Sequence, residues 1–149
     1  MKTCPKMQAV VEALTARHDV NLEMNGARLR LDMPGFDRLC IERLTPMAVS
    51  VAHYFEVNGD LTPEPDIVFY TADTAGWIPI EIAQSLTGWL QLVQGGFTSP
   101  LQTGTQKQVL DEVADFAETW ADNIVAQGWL EKGVKHVYRD YYHFADIAF

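Results

Sequence analysis

The sequence predicts an α+β fold: a mainly antiparallel sheet of about five to seven strands, with an N-terminal helix and a long C-terminal helix packed on one face. Three observations predict it. The middle of the chain alternates apolar and polar residues with period two. Both ends carry apolar stripes at helical spacing. The elements run helix, strands, helix and tail, without the strand–helix alternation of a parallel sheet. No repeat, low-complexity tract or shift of composition divides the 149 residues, so residues 1–149 are expected to form a single domain.

The elements follow in order. Pro5 suits the first turn of a helix, with Thr3 or Cys4 just before it. Met7, Val10, Val11 and Leu14 extend that helix over residues 5–18. Asn25-Gly26 is a two-residue hairpin signal. It is expected to join a short strand at Val20–Met24 to one at Ala27–Asp32, where Leu29 and Leu31 alternate with Arg28 and Arg30. Met33-Pro34-Gly35 ends that strand. Leu39–Leu44 follows, Thr45-Pro46 turns the chain, and Ala48–Val57 is the next and longest strand. One of its faces carries Val49, Val51, His53, Phe55 and Val57, the other Ser50, Ala52, Tyr54 and Glu56.

Asn58-Gly59 turns again. Pro63 and Pro65 lack the ladder donor, so the sheet is expected to resume only at Asp66–Thr71. Trp77–Gln84 is the next strand, and Pro79 argues for an edge position. Trp89–Val93 is a short strand or irregular stretch. Residues 95–104 read as a surface loop. Thr105 and Gln108 then form a capping-box pattern, followed by a helix over 105–127 with an apolar stripe of Val109, Leu110, Val113, Phe116, Trp120 and Ile124. Asp111, Asp115, Glu118 and Asp122 occupy its opposite face, and Gly128 sits where a helix-ending glycine belongs. The tail over 129–149 has no clear period, with room in Val134–Phe149 for one more strand or helix.

Composition excludes several classes. Hydrophobic residues are 48% and charged residues 21%, ordinary for a globular protein, and the length supports a core without disulfides or metals. No apolar run approaches the roughly 18–20 residues of a membrane helix. The start, Met1-Lys2-Thr3-Cys4-Pro5-Lys6, does not read as a signal peptide. A cytoplasmic protein with reduced Cys4 and Cys40 is therefore expected. The net charge is −9 and unevenly placed: residues 44–131 hold twelve acids against Lys107 alone. Binding duplex nucleic acid needs lysine and arginine against phosphate, so direct binding is not expected. An acidic surface suits a basic protein partner, or the imitation of DNA before a DNA-binding protein.

The sequence lacks phosphate-binding glycine loops, the nucleophile elbow and zinc-ligand spacings, and no cofactor or metal is expected. Its densest polar group is His53, Glu56, Asn58, Asp60, Glu64 and Asp66. The oxygen-bearing residues from Asp60 to Asp66 have the alternate spacing of a calcium loop. That match fails at Pro65, where glycine is needed, and at Thr71, where glutamate is needed. A looser divalent site from His53 with Asp60 or Asp66 is the sharper alternative. The plainer reading has Asn58-Gly59-Asp60 as turn chemistry and His53 as a half-buried strand residue, hydrogen-bonded locally. Cys40, between Leu39 and Ile41, reads as a packed residue rather than a nucleophile. Tyr138, Tyr141 and Tyr142, beside His136, Arg139 and His143, have the composition of a recognition surface and equally that of packed rings.

Ser50-Val51-Ala52-His53-Tyr54-Phe55-Glu56, Asn58-Gly59-Asp60-Leu61 and Pro65-Asp66 together resemble the central motif of a bacterial domain of unknown function found in plasmid, phage and other mobile-element proteins. Trp77-Ile78-Pro79-Ile80, Gly88, Trp120-Ala121-Asp122-Asn123 and Gln127-Gly128 extend the likeness over roughly residues 30–130; Thr87-Gly88-Trp89 departs from the usual form. The resemblance implies a bacterial cytoplasm and an accessory role in a mobile element. It brings no catalytic residues, and it makes His53, Glu56, Asn58 and Asp60 the first to test.

Three functional readings follow. The preferred one is a non-catalytic binding or accessory domain, whose partner meets Asp111, Asp115, Glu118, Asp122 and the tail tyrosines. The second is a metal-assisted hydrolase or nuclease centred on His53, Asp60 and Asp66. The third is a homo-oligomer joined through an edge strand near Pro79 or through the tail.

Overall fold

The computed structural model describes residues 2–57, 60–84, 88–91 and 105–137. Helix α1 (Pro5–Arg17) leads into six strands: β1 (Arg28–Met33), β2 (Phe36–Thr45), β3 (Ala48–Val57), β4 (Asp60–Tyr70), β5 (Ile78–Gln84) and β6 (Gly88–Gln91). Helix α2 (Thr105–Gln127), the single turn α3 (Trp129–Lys132) and the two-residue strand β7 (Val134–Lys135) complete it. All described pairings are antiparallel, in the order β6-β5-β4-β3-β2-β1-β7. The α+β expectation holds. No described helix is long and apolar enough to cross a membrane.

Paired residues share a face, so the register sorts the sheet into two sides. Leu31 stands opposite Leu39, Ile41 opposite Val51, Val49 opposite Phe69, and Ile67 opposite Ile82. These side chains form the core with Met7, Val11 and Leu14 of α1, Leu110, Trp120 and Ile124 of α2, and Trp129. Fully burying such a side chain is worth about 1.5–3 kcal/mol. The helices therefore cover one side. The other carries Arg28, Arg30, Cys40, Glu42, Ser50, Tyr54 and Asp66, and no described helix lies on it.

The two helices are joined by charge as well as by packing. Cys4, fully buried, donates its N–H to the Trp77 carbonyl at 2.8 Å and seats α1 on the start of β5. Its side chain provides no cap for α1. Glu118 of α2 accepts the N–H groups of Lys6 and Met7 instead. Lys2 Nζ meets Asp115 at 2.9 Å, Lys6 Nζ meets Asp122 at 3.0 Å, and Asp111 accepts the Lys2 N–H at 3.0 Å.

Several sequence expectations need correction. Residues 20–24 form turns, not a strand. The Asn21 side chain accepts the Glu23 N–H, and its carbonyl accepts the Met24 N–H, so local turn bonds take the place of a ladder. Gly26 turns the chain with φ +79°, but the hairpin partner of β1 is β2, through Pro34-Gly35.

The prolines do not keep the chain out of the sheet: β4 runs through both. A bulge accommodates them, since Ala52 pairs with Asp66 and Tyr54 with Pro63, leaving His53 opposite two residues. Strand β5 is interior rather than an edge. Its described pairing with β6 starts only at Glu81, however, so β6 makes no described ladder contact at Pro79. Val109 and Phe116 are exposed. The true stripe of α2 uses Ala114, Ala117 and Ala121, because small residues let a helix lie close to its neighbours. The Asn58-Gly59 turn, the loop over 95–104, the Thr105 side chain of the capping box, Val93 and all residues after 137 lie outside the described residues.

Candidate functional site

The residues singled out in the sequence do not converge. His53 stands on the helix side of β3. Its ring lies 5.5 Å from that of Trp120 and 5.6 Å from that of Trp129, centre to centre. Nδ1 is 3.0 Å from the Asp37 carbonyl, so Nδ1 carries the proton and donates it there. Burial pushes the imidazole below its ordinary value, with the Asp37 and Arg38 backbone opposing. This is a packed histidine, bonded across to the backbone of β2 rather than to its own turn.

Asp66 projects from the opposite side, and the bulge is the reason. Val57 pairs with Asp60 and Tyr54 with Pro63. Without the extra residue, Asp66 would face Val51 and share a side with His53. The one-residue slip turns it over. There Asp66 accepts hydrogen bonds from Ser50 Oγ at 2.7 Å and Tyr54 Oη at 2.8 Å. Burial and the Asp66 carboxylate push the Tyr54 phenol well above its usual range. Glu56 pairs with Leu61 near the same turn. The side chains of Glu56 and Asp60, and the whole of Asn58, lie outside the described residues, as do Tyr138, Tyr141 and Tyr142. Among the described residues no cluster of His, Cys, Asp or Glu forms a metal site.

What the geometry does assemble is the open side of the sheet. A hollow of about 280 Å³ lies over β1–β3, lined by Arg30, Arg38, Cys40, Glu42, Ser50 and Tyr54. Burial pushes the Cys40 thiol up, while Arg30 and Arg38 pull it down by less. Arg38 Nε meets Asp32 Oδ1 at 2.9 Å, and Arg28 Nε meets Glu42 at 3.4 Å. His136 Nδ1 is 2.6 Å from Asp32 Oδ2. Partial burial works to raise the Asp32 carboxyl, but the bonds from Arg38 and His136 outweigh it and hold it low.

Farther along the sheet the balance changes. Glu81, opposite Val68, lies diagonal to Asp66 on the same side. Burial and the Asp66 charge both push its carboxyl up. Neither acid meets a cation among the described residues. The open side is thus compensated over β1–β2 and negative over β4–β5.

The acids of α2 are placed differently from what the sequence suggested. Asp111, Asp115, Glu118 and Asp122 do share a face, but that face meets Lys2, Lys6 and the start of α1. Two features lie outside the sequence expectations. Glu81 is a lone acid in an apolar strand, and no sequence pattern marks it. Arg43 breaks the alternation of Leu39 and Ile41 on β2, a signal that was there to be read.

Residues 6–130 match the model of one protein family, described as a domain of unknown function (DUF6908). No curated protein and no solved structure matches the chain.

Proposed function

The chain belongs to the DUF6908 family, a domain of unknown function, and on that premise we propose that it is a non-catalytic binding domain which receives a basic protein segment on the open side of its sheet. The observation that carries this is the neighbouring pair Asp66 and Glu81. Burial and the diagonal Asp66 charge, with no cation among the described residues, hold the Glu81 carboxyl up, and a lysine or arginine from a partner relieves it. Asp66 is held in place by Ser50 and Tyr54, so its orientation is set before a partner arrives. The compensated β1–β2 end gives the face a direction. The α2 acids, already engaged by Lys2 and Lys6, are the weaker docking surface. In this reading the domain is an accessory protein of a mobile element in a bacterial cytoplasm, and the basic surface of a DNA-binding protein is one partner of the right chemistry. A metal-assisted hydrolase gains no support, because His53 and Asp66 point to opposite sides.

The test is a titration of the full chain with a lysine-rich peptide, followed by amide NMR. Shifts on β4 and β5 that weaken as salt rises are expected, with binding at least about tenfold weaker, or about 1.4 kcal/mol, in Asp66→Asn combined with Glu81→Gln. Shifts confined to α1 and α2, or equal binding by that double variant, overturn the proposal.

A further inference from the structure

Arg43 lies on the core side of β2, opposite Val49, and is only 4% exposed. A guanidinium withdrawn from water needs acceptors or an opposite charge. Nε donates to the Leu22 carbonyl at 2.8 Å. Nη1 donates to Thr71 Oγ1 at 2.9 Å and to the Pro46 and Thr45 carbonyls at 3.2 and 3.4 Å. All of these acceptors are neutral. Among the described residues no carboxylate pairs with Arg43 and no protein acceptor meets Nη2, which is left open to solvent.

The same residue lines a hollow of about 330 Å³ at the end of the sheet where β2 and β4 stop and β5 begins. Glu12 of α1 and Glu23 of the following turn line it too, with Leu22 and Trp77 as apolar surface. The hollow therefore offers one nearly buried cation whose Nη2 is unpaired and open to solvent, two carboxylates and an indole.

We infer that this hollow binds a small zwitterion of the α-amino-acid class, its carboxylate on Arg43 Nη2 and its ammonium against Glu12 and Glu23. A phosphate dianion would satisfy Arg43 but be repelled by both glutamates. A simple cation would satisfy the glutamates and leave Arg43 as it is. A molecule with both charges a few bonds apart answers both, and Leu22 and Trp77 give its side chain an apolar wall. The volume is at the small end of ligand pockets, which suits one amino acid better than a nucleotide. The site is independent of the open sheet face.

The experiment screens each standard L-amino acid at about 10 mM, well above a millimolar Kd, by thermal shift on the full chain. It then maps the best binder by amide NMR. Raised melting temperature and shifts at Leu22, Glu23, Thr71 and Ala72 are expected. The N-acetylated and carboxamide forms of that amino acid, each lacking one charge, should bind at least about tenfold more weakly, as should the chain carrying Glu12→Gln and Glu23→Gln. Those two side chains are solvent-facing, so the variant remains informative even if Arg43 substitutions do not fold. No response to any amino acid, shifts on another surface, or equal binding by the blocked forms overturns the inference.

Discussion

Glu118 and Met7 join the two long helices at the point where α1 has no cap of its own: a carboxylate oxygen of Glu118 accepts the Met7 N–H at 3.0 Å, and its other oxygen accepts the Lys6 N–H at 3.1 Å. The cap of α1 is thus a residue of α2, 111 positions later in the chain. Replacing Glu118 with Ala strands both donors and is expected to cost about 1–2 kcal/mol in urea unfolding. Asp115→Asn removes only an exposed ion pair with Lys2 and should cost about 0–1 kcal/mol. Equal losses in the two variants would mean that the cap contributes nothing beyond surface charge.

His53 makes stability depend on pH. Burial lowers its folded-state value below the ordinary 6.5. Below that value the unfolded chain therefore binds more protons than the folded one. The contribution is complete above the unfolded value and drains away as pH falls toward the folded value. Urea midpoints should decline from pH 7 to about pH 5, and His53→Phe, which keeps a ring beside Trp120 and Trp129, should flatten that decline. Some slope will persist, because burial lowers His18 too. Identical slopes in the two proteins would contradict this account.

The two thiols should differ in reactivity. Cys4 is fully buried, and burial with the nearby Glu118 and Asp115 charges pushes its thiol up to about 12. Cys40 is half-buried beside two arginines. Alkylation at pH 8 followed by mass spectrometry should label Cys40 slowly and Cys4 only after denaturation. Rapid labelling of Cys4 in the native protein would show α1 leaving the sheet.

Gly133 has room for hydrogen and nothing larger. A Cβ there would lie 2.7 Å from the Trp129 carbonyl oxygen and 3.3 Å from the Trp129 ring. Gly133→Ala should cost about 1–3 kcal/mol in chemical unfolding and change Trp129 fluorescence. An unchanged midpoint would show that α3 shifts freely.

Long unbroken patterns were the legible ones. The limits of β3 and α2 follow from their periods, and the half-burial of His53 follows from its place on the odd face of β3, whereas its bond to Asp37 crosses to β2 and could not be read locally. Prolines and short segments are ambiguous in the sequence. Proline forbids a ladder donor but not a strand, and a bulge reconciled β4 with Pro63 and Pro65. That same bulge decides which side Asp66 occupies, and a single residue of slip is invisible to a pattern of period two. The Glu118 cap could not be foreseen, because its partners come together only when both helices are on the sheet.

From β1 to β6 each strand is paired with its predecessor in the chain. Such a meander can zip hairpin by hairpin, with little loop entropy lost at each step. The contacts that must wait for the later part of the chain are those of α2 and α3 with α1 and the sheet, and of β1 with β7. During synthesis the ribosome therefore releases a sheet whose greasy side is covered by α1 alone until α2 emerges. That interval, rather than the finished molecule, is when the protein is most exposed to aggregation and to chaperones.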